Sequence, residues 1–281
     1  MSKVIELFGS SGSGLSKEKL KALVKKQGCP FLYKKCIKVR KSQPDISIGT
    51  CSVFYGADRM PVIICPFRFL ERRQIFIDSL HLMTLHEPGN ELHIVPEVSI
   101  PGGSVDYFLV SMKGGKIKDF IGIELQTLDT TGTVWPQRQQ WLTEKGFTIG
   151  GTKENKSFGM NWKMTAKTIL IQIHHKITTF ENLNKHLVLV VQDCLLAYLQ
   201  KEFQFSHVQK SRLGDSLQIH SYTMNTVKNN CKIELADRIS TDADGISTCL
   251  GLQAESRVEL EMVLKQLERK ISKDTLFIIG R

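Results

Sequence analysis

The stretch 97–126, EVSIPGGSVDYFLVSMKGGKIKDFIGIELQ, constrains the fold of this chain more than any other. Two apolar runs, 104–110 and 120–126, flank Lys113-Gly114-Gly115-Lys116. Paired glycines between such runs signal a hairpin, because tight turns need the left-handed backbone that glycine adopts freely. Both runs carry polar residues where a half-buried strand should carry none: Asp106 in the first, Glu124 and Gln126 in the second. A three-residue loop of Gly114, Gly115 and Lys116 sets Asp106 opposite Glu124. Side chains alternate between faces. Val105, Tyr107, Leu109, Ile121, Ile123 and Leu125 then form a core face. Asp106, Glu124 and Gln126 share the other, with Phe108 and Phe120 nearer the turn. A two-residue loop would oppose Asp106 to Ile123 and mix the faces, so an odd loop or a bulge is expected.

Carboxylates opposite each other on neighbouring strands have Cβ atoms about 5 Å apart and repel unless a cation lies between them. A divalent metal is the simplest cation. Mg2+ takes one or two carboxylates and completes its shell with water and substrate oxygens. Gln126 projects from the same face about 7 Å further along, where an amide can orient a water or a phosphate oxygen. Glu97, just before the Pro101-Gly102-Gly103 segment, is a candidate further carboxylate; Glu91 is a less favoured substitute. Hydrolysis of a phosphodiester needs an activated water and neutralised phosphate charge, and a carboxylate-held metal supplies both. The plainer alternative is a pair of exposed acids on an outer sheet face.

The net charge of +10 over 281 residues points to a polyanionic partner, nucleic acid before membrane surface. No stretch approaches the roughly 18–20 apolar residues of a membrane span. Glu6 and a Gly/Ser run interrupt the start, so no export signal is expected, and the seven cysteines read as reduced thiols. Four of them, Cys29, Cys36, Cys51 and Cys65, lie in a Lys-rich region, two in Cys-Pro steps. Four thiolates would suit zinc or iron in a tetrahedral site. No Cys-x-x-Cys pair occurs, and four buried small apolar residues would look the same. Cys194, Cys231 and Cys249 read as core residues.

Gly9–Gly14, GSSGSG, has the separation of a phosphate loop, but Leu15 stands where the lysine belongs, so it reads as a flexible linker. Ser16 should cap a helix over Lys17–Lys26. Residues 66–83 read as an amphipathic helix carrying Arg68, Arg72 and Arg73. Trp135-Pro136 should end a polar loop, with Gln137, Arg138, Gln139 and Gln140 free to touch phosphates or base edges. A helix is expected over Asn161–Lys176 with Lys163 and Lys167 towards a phosphate backbone, then a buried strand over Leu187–Val191 and a helix from Asp193 to Phe203. Short strands follow at Ser216–Met224 and Lys232–Leu235, an amphipathic helix at Ala254–Ile271 and a closing strand at Leu276–Ile279.

Asp106…Glu124-Leu125-Gln126 also resembles the Asp…Glu-x-Lys signature of the restriction-endonuclease-like nuclease superfamily, with Gln in place of Lys, as in NotI-type restriction endonucleases. The resemblance extends to the four upstream cysteines, to the phrase CPFRFLERRQ over 65–74 and to EVSIPGG over 97–103, and so spans roughly Cys29 to Gln140. It implies an α/β fold: a mixed central sheet flanked by helices as a restriction-endonuclease-like core (67–281, with a C-terminal α/β extension), preceded by a small N-terminal basic four-cysteine metal-binding region (1–66). It implies that Asp106, Glu124 and Gln126 are catalytic, that Glu97 is a fourth active-site residue, that Asp106 and Glu124 hold Mg2+, and that Cys29, Cys36, Cys51 and Cys65 hold a structural iron, for which zinc is the alternative. The expected activity is type II restriction: double-strand cleavage of DNA at a palindromic, G/C-rich site by a homodimer in the bacterial cytoplasm, with no membrane partner. Two other readings stand beside it, a repair or recombination nuclease that cuts by structure and a non-catalytic, metal-stabilised DNA-binding protein.

Overall fold

A computed structural model describes residues 2–147, 158–227, 230–252 and 256–270. The chain opens with β1 (Val4–Leu7) and α1 (Lys17–Lys26). Ser16 caps α1 as its position predicts, its Oγ accepting from the Lys19 amide at 3.3 Å. The Gly9–Gly14 segment is no flexible linker where it leaves β1. Leu7 and Ser10 exchange backbone hydrogen bonds, and Phe8 N donates to Gly49 O at 2.7 Å. Two short ribbons, β2–β3 (Gly28–Cys29 with Lys34–Lys35) and β4–β5 (Val39–Arg40 with Gln43–Ser47), lead to β6 (Thr50–Tyr55) and β7 (Met60–Ile63). β1, β6 and β7 make an antiparallel sheet in the order β1-β6-β7.

Residues 66–83 do not form the single helix their apolar spacing suggests. A 3-10 segment, Pro66–Arg73, contains non-helical Glu71 and left-handed Arg72, and Arg73 is left-handed too. Then come α2 (Gln74–Ser79) and a 3-10 turn at Leu80–Leu82. The break follows from Arg68, which points inward, not to solvent. Its Nε donates to Glu6, its Nη1 to Glu71 at 3.0 Å and its Nη2 to the Cys231 carbonyl at 2.9 Å. Glu71 also accepts from Ile233 N at 3.0 Å, which pins the chain where a helix would have carried it away.

The remaining strands build one mixed sheet. In chain order the elements are β8 (Glu91–Ile100), β9 (Gly103–Lys113), β10 (Lys116–Gln126), β11 (Thr130–Thr131), α3 (Trp135–Glu144), β12 (Gly159–Met160), α4 (Trp162–Asn182), β13 (Leu187–Gln192), α5 (Asp193–Glu202), β14 (Gln209–Lys210), β15 (Leu217–Val227), β16 (Asn230–Thr241), α6 (Ala243–Cys249) and α7 (Ser256–Glu268). The seven-stranded order is β14-β16-β15-β13-β10-β9-β8. β10, β13 and β15 run parallel, and the outer pairs are antiparallel. β13 reads LVLVVQ and is buried throughout, because helices cover both sheet faces.

One face meets α4, α5 and α6. On α4, Ala166, Ile169, Leu170, Ile173, Ile177 and Phe180 recur at helical spacing and are all buried there. The other face meets Phe69, Leu70, Ile75, Phe76 and Leu82. A smaller core joins β1 and α1 to α3 through Leu7, Phe8, Leu20 and Trp141. Gln192 ties the small sheet to the large one, accepting from Ile63 N at 2.8 Å and donating to Pro61 O at 2.7 Å. The last two sheet strands run longer than expected, and the C-terminal helix spans Ser256–Glu268. The strand expected at Leu276–Ile279 lies outside the described residues. No described helix is long and apolar enough to cross a membrane.

Candidate active site

The β9–β10 hairpin turns on two residues. Lys113 pairs with Lys116, and Gly114 and Gly115 take φ of 58° and 71°. Such a turn alone would have mixed the faces. A bulge between Ile117 and Asp119 takes up one residue, and from Asp119↔Ser111 to Ile123↔Tyr107 the register is the one that sets Asp106 beside Glu124. At that point the ladder passes to a side chain: Asp106 Oδ2 accepts from Leu125 N at 2.8 Å. On the other flank, Pro96↔Tyr107 and Val98↔Val105 bracket Glu97 opposite Asp106. Glu97, Asp106 and Glu124 therefore form a row across β8, β9 and β10. Glu97 is exposed and left-handed, with φ of 52°. A glutamate there is strained, and strain of this kind gathers at functional sites.

The acid-bearing face is not a solvent face. Phe108 and Phe120 lie with ring centroids 5.8 Å apart, and Phe108 stacks on Phe180 of α4. Val105, expected beside Leu109 and Ile121, joins this α4-side core instead. Helix α4 also brings the cation that two facing carboxylates require. Lys176 Nζ donates to Glu124 Oε1 at 2.6 Å, and both residues are 6% exposed. The β8–β9 connection makes this approach possible. A Cβ on Gly102 would stand 2.0 Å from the His175 carbonyl oxygen, and Thr179 Oγ1 donates to Pro101 O at 3.1 Å.

Burial pushes the Glu124 carboxyl up to about 7; the Lys176 hydrogen bond pulls it back, and Asp106 adds to the rise. Asp106 is raised by burial as well, opposed by the Leu125 amide and Lys176 and assisted by Glu97. Gln126 is half-buried, its Nε2 donating to Thr127 O at 2.6 Å. Glu91 sits opposite Met112 at the far end of β8 and outside the row.

Lys163 and Lys167 are exposed on α4. Trp135-Pro136 starts α3 instead of only closing a loop, because proline suits a helix's first turn. Arg138 is then buried, donating to Ile48 O at 2.8 Å and stacking 4.6 Å from the Trp135 ring centre, so it holds two segments together. Lys176 went unread in the sequence as a site residue. Its signal is a lysine three residues after Ile173, on a buried stripe that is apolar from Ala166 to Phe180 but for this residue.

Cys29, Cys36, Cys51 and Cys65 line one small cavity of about 10 Å3, with Lys38 at its wall. Burial raises the Cys29 and Cys51 thiols and pushes Cys65 up to about 11, where Lys38 pulls back. Four thiols around an atom-sized space are the donor chemistry of a soft metal ion, and a bound cation would reverse the effect of burial on them. Among the described residues, no group of three or more His, Cys, Asp or Glu side chains is drawn together as a ready metal-ligand set.

No curated protein matches the chain. The family model described as restriction endonuclease NotI matches residues 21–215. That span holds the four cysteines, Glu97, Asp106, Glu124, Gln126 and Lys176, and covers well over half of the 281 residues. With a row of three acids across a helix-covered mixed sheet, and this match along most of its length, the chain belongs to the NotI restriction endonuclease family and is a site-specific deoxyribonuclease.

Proposed function

We propose that this type II restriction endonuclease cuts both strands of DNA at a palindromic, G/C-rich site in a Mg2+-dependent reaction, as a homodimer of the bacterial cytoplasm. The observation that carries the reading is the Glu97–Asp106–Glu124 row across three adjacent strands, half open to solvent at Glu97. Asp106 and Glu124 are the metal-holding carboxylates, since two facing acids with burial-raised pKa values gain most from a divalent cation. Bound there, Mg2+ supplies charge neutralisation on the phosphate and lowers the pKa of the attacking water. The water oxygen bonds to phosphorus as the bond from phosphorus to the leaving sugar oxygen breaks. Glu97, the exposed acid of the row, takes the proton that the water gives up, and the leaving oxygen gains one from solvent. Gln126 orients the water or a phosphate oxygen through its amide. A palindrome presents the same half-site twice about a two-fold axis, which two copies of one chain would read, and the proposed dimer follows from that.

Residues 1–66 form, in this reading, a basic region whose Cys29, Cys36, Cys51 and Cys65 hold a structural iron or zinc, and 67–281 form the nuclease core with its extension. The test is digestion of plasmid DNA with and without Mg2+, alongside Glu124→Ala. Discrete bands that need Mg2+ and vanish in the variant are expected; unchanged cleavage by Glu124→Ala would sink the assignment. Elemental analysis of protein never exposed to chelator should find about one iron or zinc per chain.

A further inference from the structure

Within the acid row the charge balance is unusual. Three carboxylates stand side by side, and Lys176 is the cation that acts on both Asp106 and Glu124. It comes from neither strand of the hairpin. It leaves the buried face of α4 where every helical neighbour on that stripe is apolar, Ile169, Ile173, Ile177 and Phe180. A buried ion pair is a poor way to stabilise a fold, because desolvating both charges offsets most of their attraction. An apolar residue at 176 would pack at least as well. The backbone is also shaped to admit this side chain. A Cβ on Gly103 would come within 3.0 Å of Lys176 Cε, so the glycine leaves the lysine stem its course past the β8–β9 connection. The ammonium ends beside Glu124, and its Nζ would lie 4.0 Å from a Cβ on Gly103, an exposed residue where the β8–β9 connection enters β9. Gln126, the next side chain along on Glu124's face, brings no charge.

We propose that Lys176 is the phosphate-facing cation of this site: a further catalytic residue, delivered from α4, that contacts the non-bridging oxygens of the scissile phosphate and stabilises the charge they gain as water attacks. The proposal rests on the reading of Asp106 and Glu124 as the hydrolytic acids. Lys176 makes no covalent bond and transfers no proton. It acts by fixed positive charge in a site largely closed to water, where such charge has most effect on a transition state. It also sets the site's charge before DNA arrives, so that three carboxylates do not repel the incoming phosphate.

The test uses Lys176→Gln, whose amide can still donate to Glu124 but carries no charge, and the pair Lys176→Gln with Gln126→Lys, which returns an ammonium to the same row from the strand. Single-turnover cleavage of plasmid DNA is measured together with Mg2+ affinity by calorimetry on DNA-free protein. Lys176→Gln should cleave about 100-fold more slowly while binding Mg2+ at least as tightly as wild type, because Glu124 is relieved of its ammonium. The pair should regain about tenfold or more of the lost rate. Cleavage by Lys176→Gln within about threefold of wild type, or loss of Mg2+ binding in parallel with cleavage, overturns the proposal, the latter by reducing Lys176 to a scaffold of the acid row. Failure of the pair to regain rate, with Mg2+ binding intact, also overturns it. Should Lys176→Gln alone not fold, the charge-conserving pair decides by the same two measurements: cleavage with Mg2+ bound upholds the proposal, and Mg2+ binding without cleavage ends it. Glu124→Ala is run in parallel. If that variant still cleaves, the failure belongs to the acid assignment, and if it is dead while Lys176→Gln is fully active, the failure belongs to Lys176.

Discussion

Arg68 heads the largest fully buried side chains of the described protein, and its fork is spent on Glu6, Glu71 and the Cys231 carbonyl. It also lies 5.1 Å over the Phe31 ring. Truncating one partner of such a cluster leaves the other charges buried and unpaired. Arg68→Met should therefore lose about 3–5 kcal/mol of stability, read from urea denaturation. Adding Glu6→Gln should return part of that loss, because one stranded charge is removed; equal stability of the single and double variants would show that Glu6 is not the partner that matters. This arginine was invisible in the sequence. In CPFRFLERRQ it reads as one of three arginines carried on an amphipathic helix, and its main partner stands 62 residues away. Asp106 and Glu124 were legible for the opposite reason. An acid that breaks a strand's alternation announces itself within a few residues, whereas an ion pair between distant segments announces nothing.

At the scale of elements, the hairpin was legible in its pairing and not in its means. Alternation demanded that Asp106 face Glu124, and the chain reaches that register by a two-residue turn plus a bulge, where a longer loop would have served equally. Pattern constrains which residues meet; it does not choose between two ways of absorbing one extra residue. Helix α4 was legible as an inward stripe from Trp162 to Ile173, but nothing local said which sheet face it covers or that it delivers Lys176 to the acids. The docking depends on Gly102. Its φ of 90° is strained for any side chain, and a Cβ there would overlap the His175 carbonyl at 2.0 Å, backbone on backbone, which no rotamer can relieve. Gly102→Ala should cost more than about 2 kcal/mol and separate α4 from the β8–β9 connection. A drop of several degrees in melting temperature together with a loss of cleavage is expected. Wild-type melting in this variant would mean that the helix does not need the close approach.

Across the whole molecule, two buried groups on opposite faces of the sheet pull the pH dependence of stability in opposite directions. His220, on β15, has no exposed surface and stacks on His81; burial, with Arg238 and His81 adding, pushes its pKa from 6.5 down to about 3. The folded protein thus binds fewer protons there than the unfolded chain, so this group costs stability as pH falls from 6.5 towards 3. Glu124 has the opposite sign. Its pKa rises from 4.5 to about 7, so the folded state binds more protons, and its contribution is lost as pH rises through that window. Asp106, also raised, adds in the same direction as Glu124. Between pH 4.5 and 6.5 the histidine and glutamate terms oppose each other, and each can reach about 1.4 kcal/mol per pH unit. Wild-type stability should accordingly be nearly flat over that range and fall more steeply below it, where the Glu124 term fades while that of His220 persists. Glu124→Gln removes the opposing carboxyl. An uncharged amide beside Lys176 lowers stability by an offset that does not vary with pH, so the slope carries the information. With chelator present to keep divalent cations away from the acids, the Glu124→Gln protein should gain stability steadily from pH 4.5 to 6.5 where the wild type does not. Denaturant midpoints measured at half-unit pH steps give the comparison. Parallel profiles for the two proteins would mean that Glu124 carries no proton beyond its unfolded value, and would remove the burial-raised carboxyl from the account of the site.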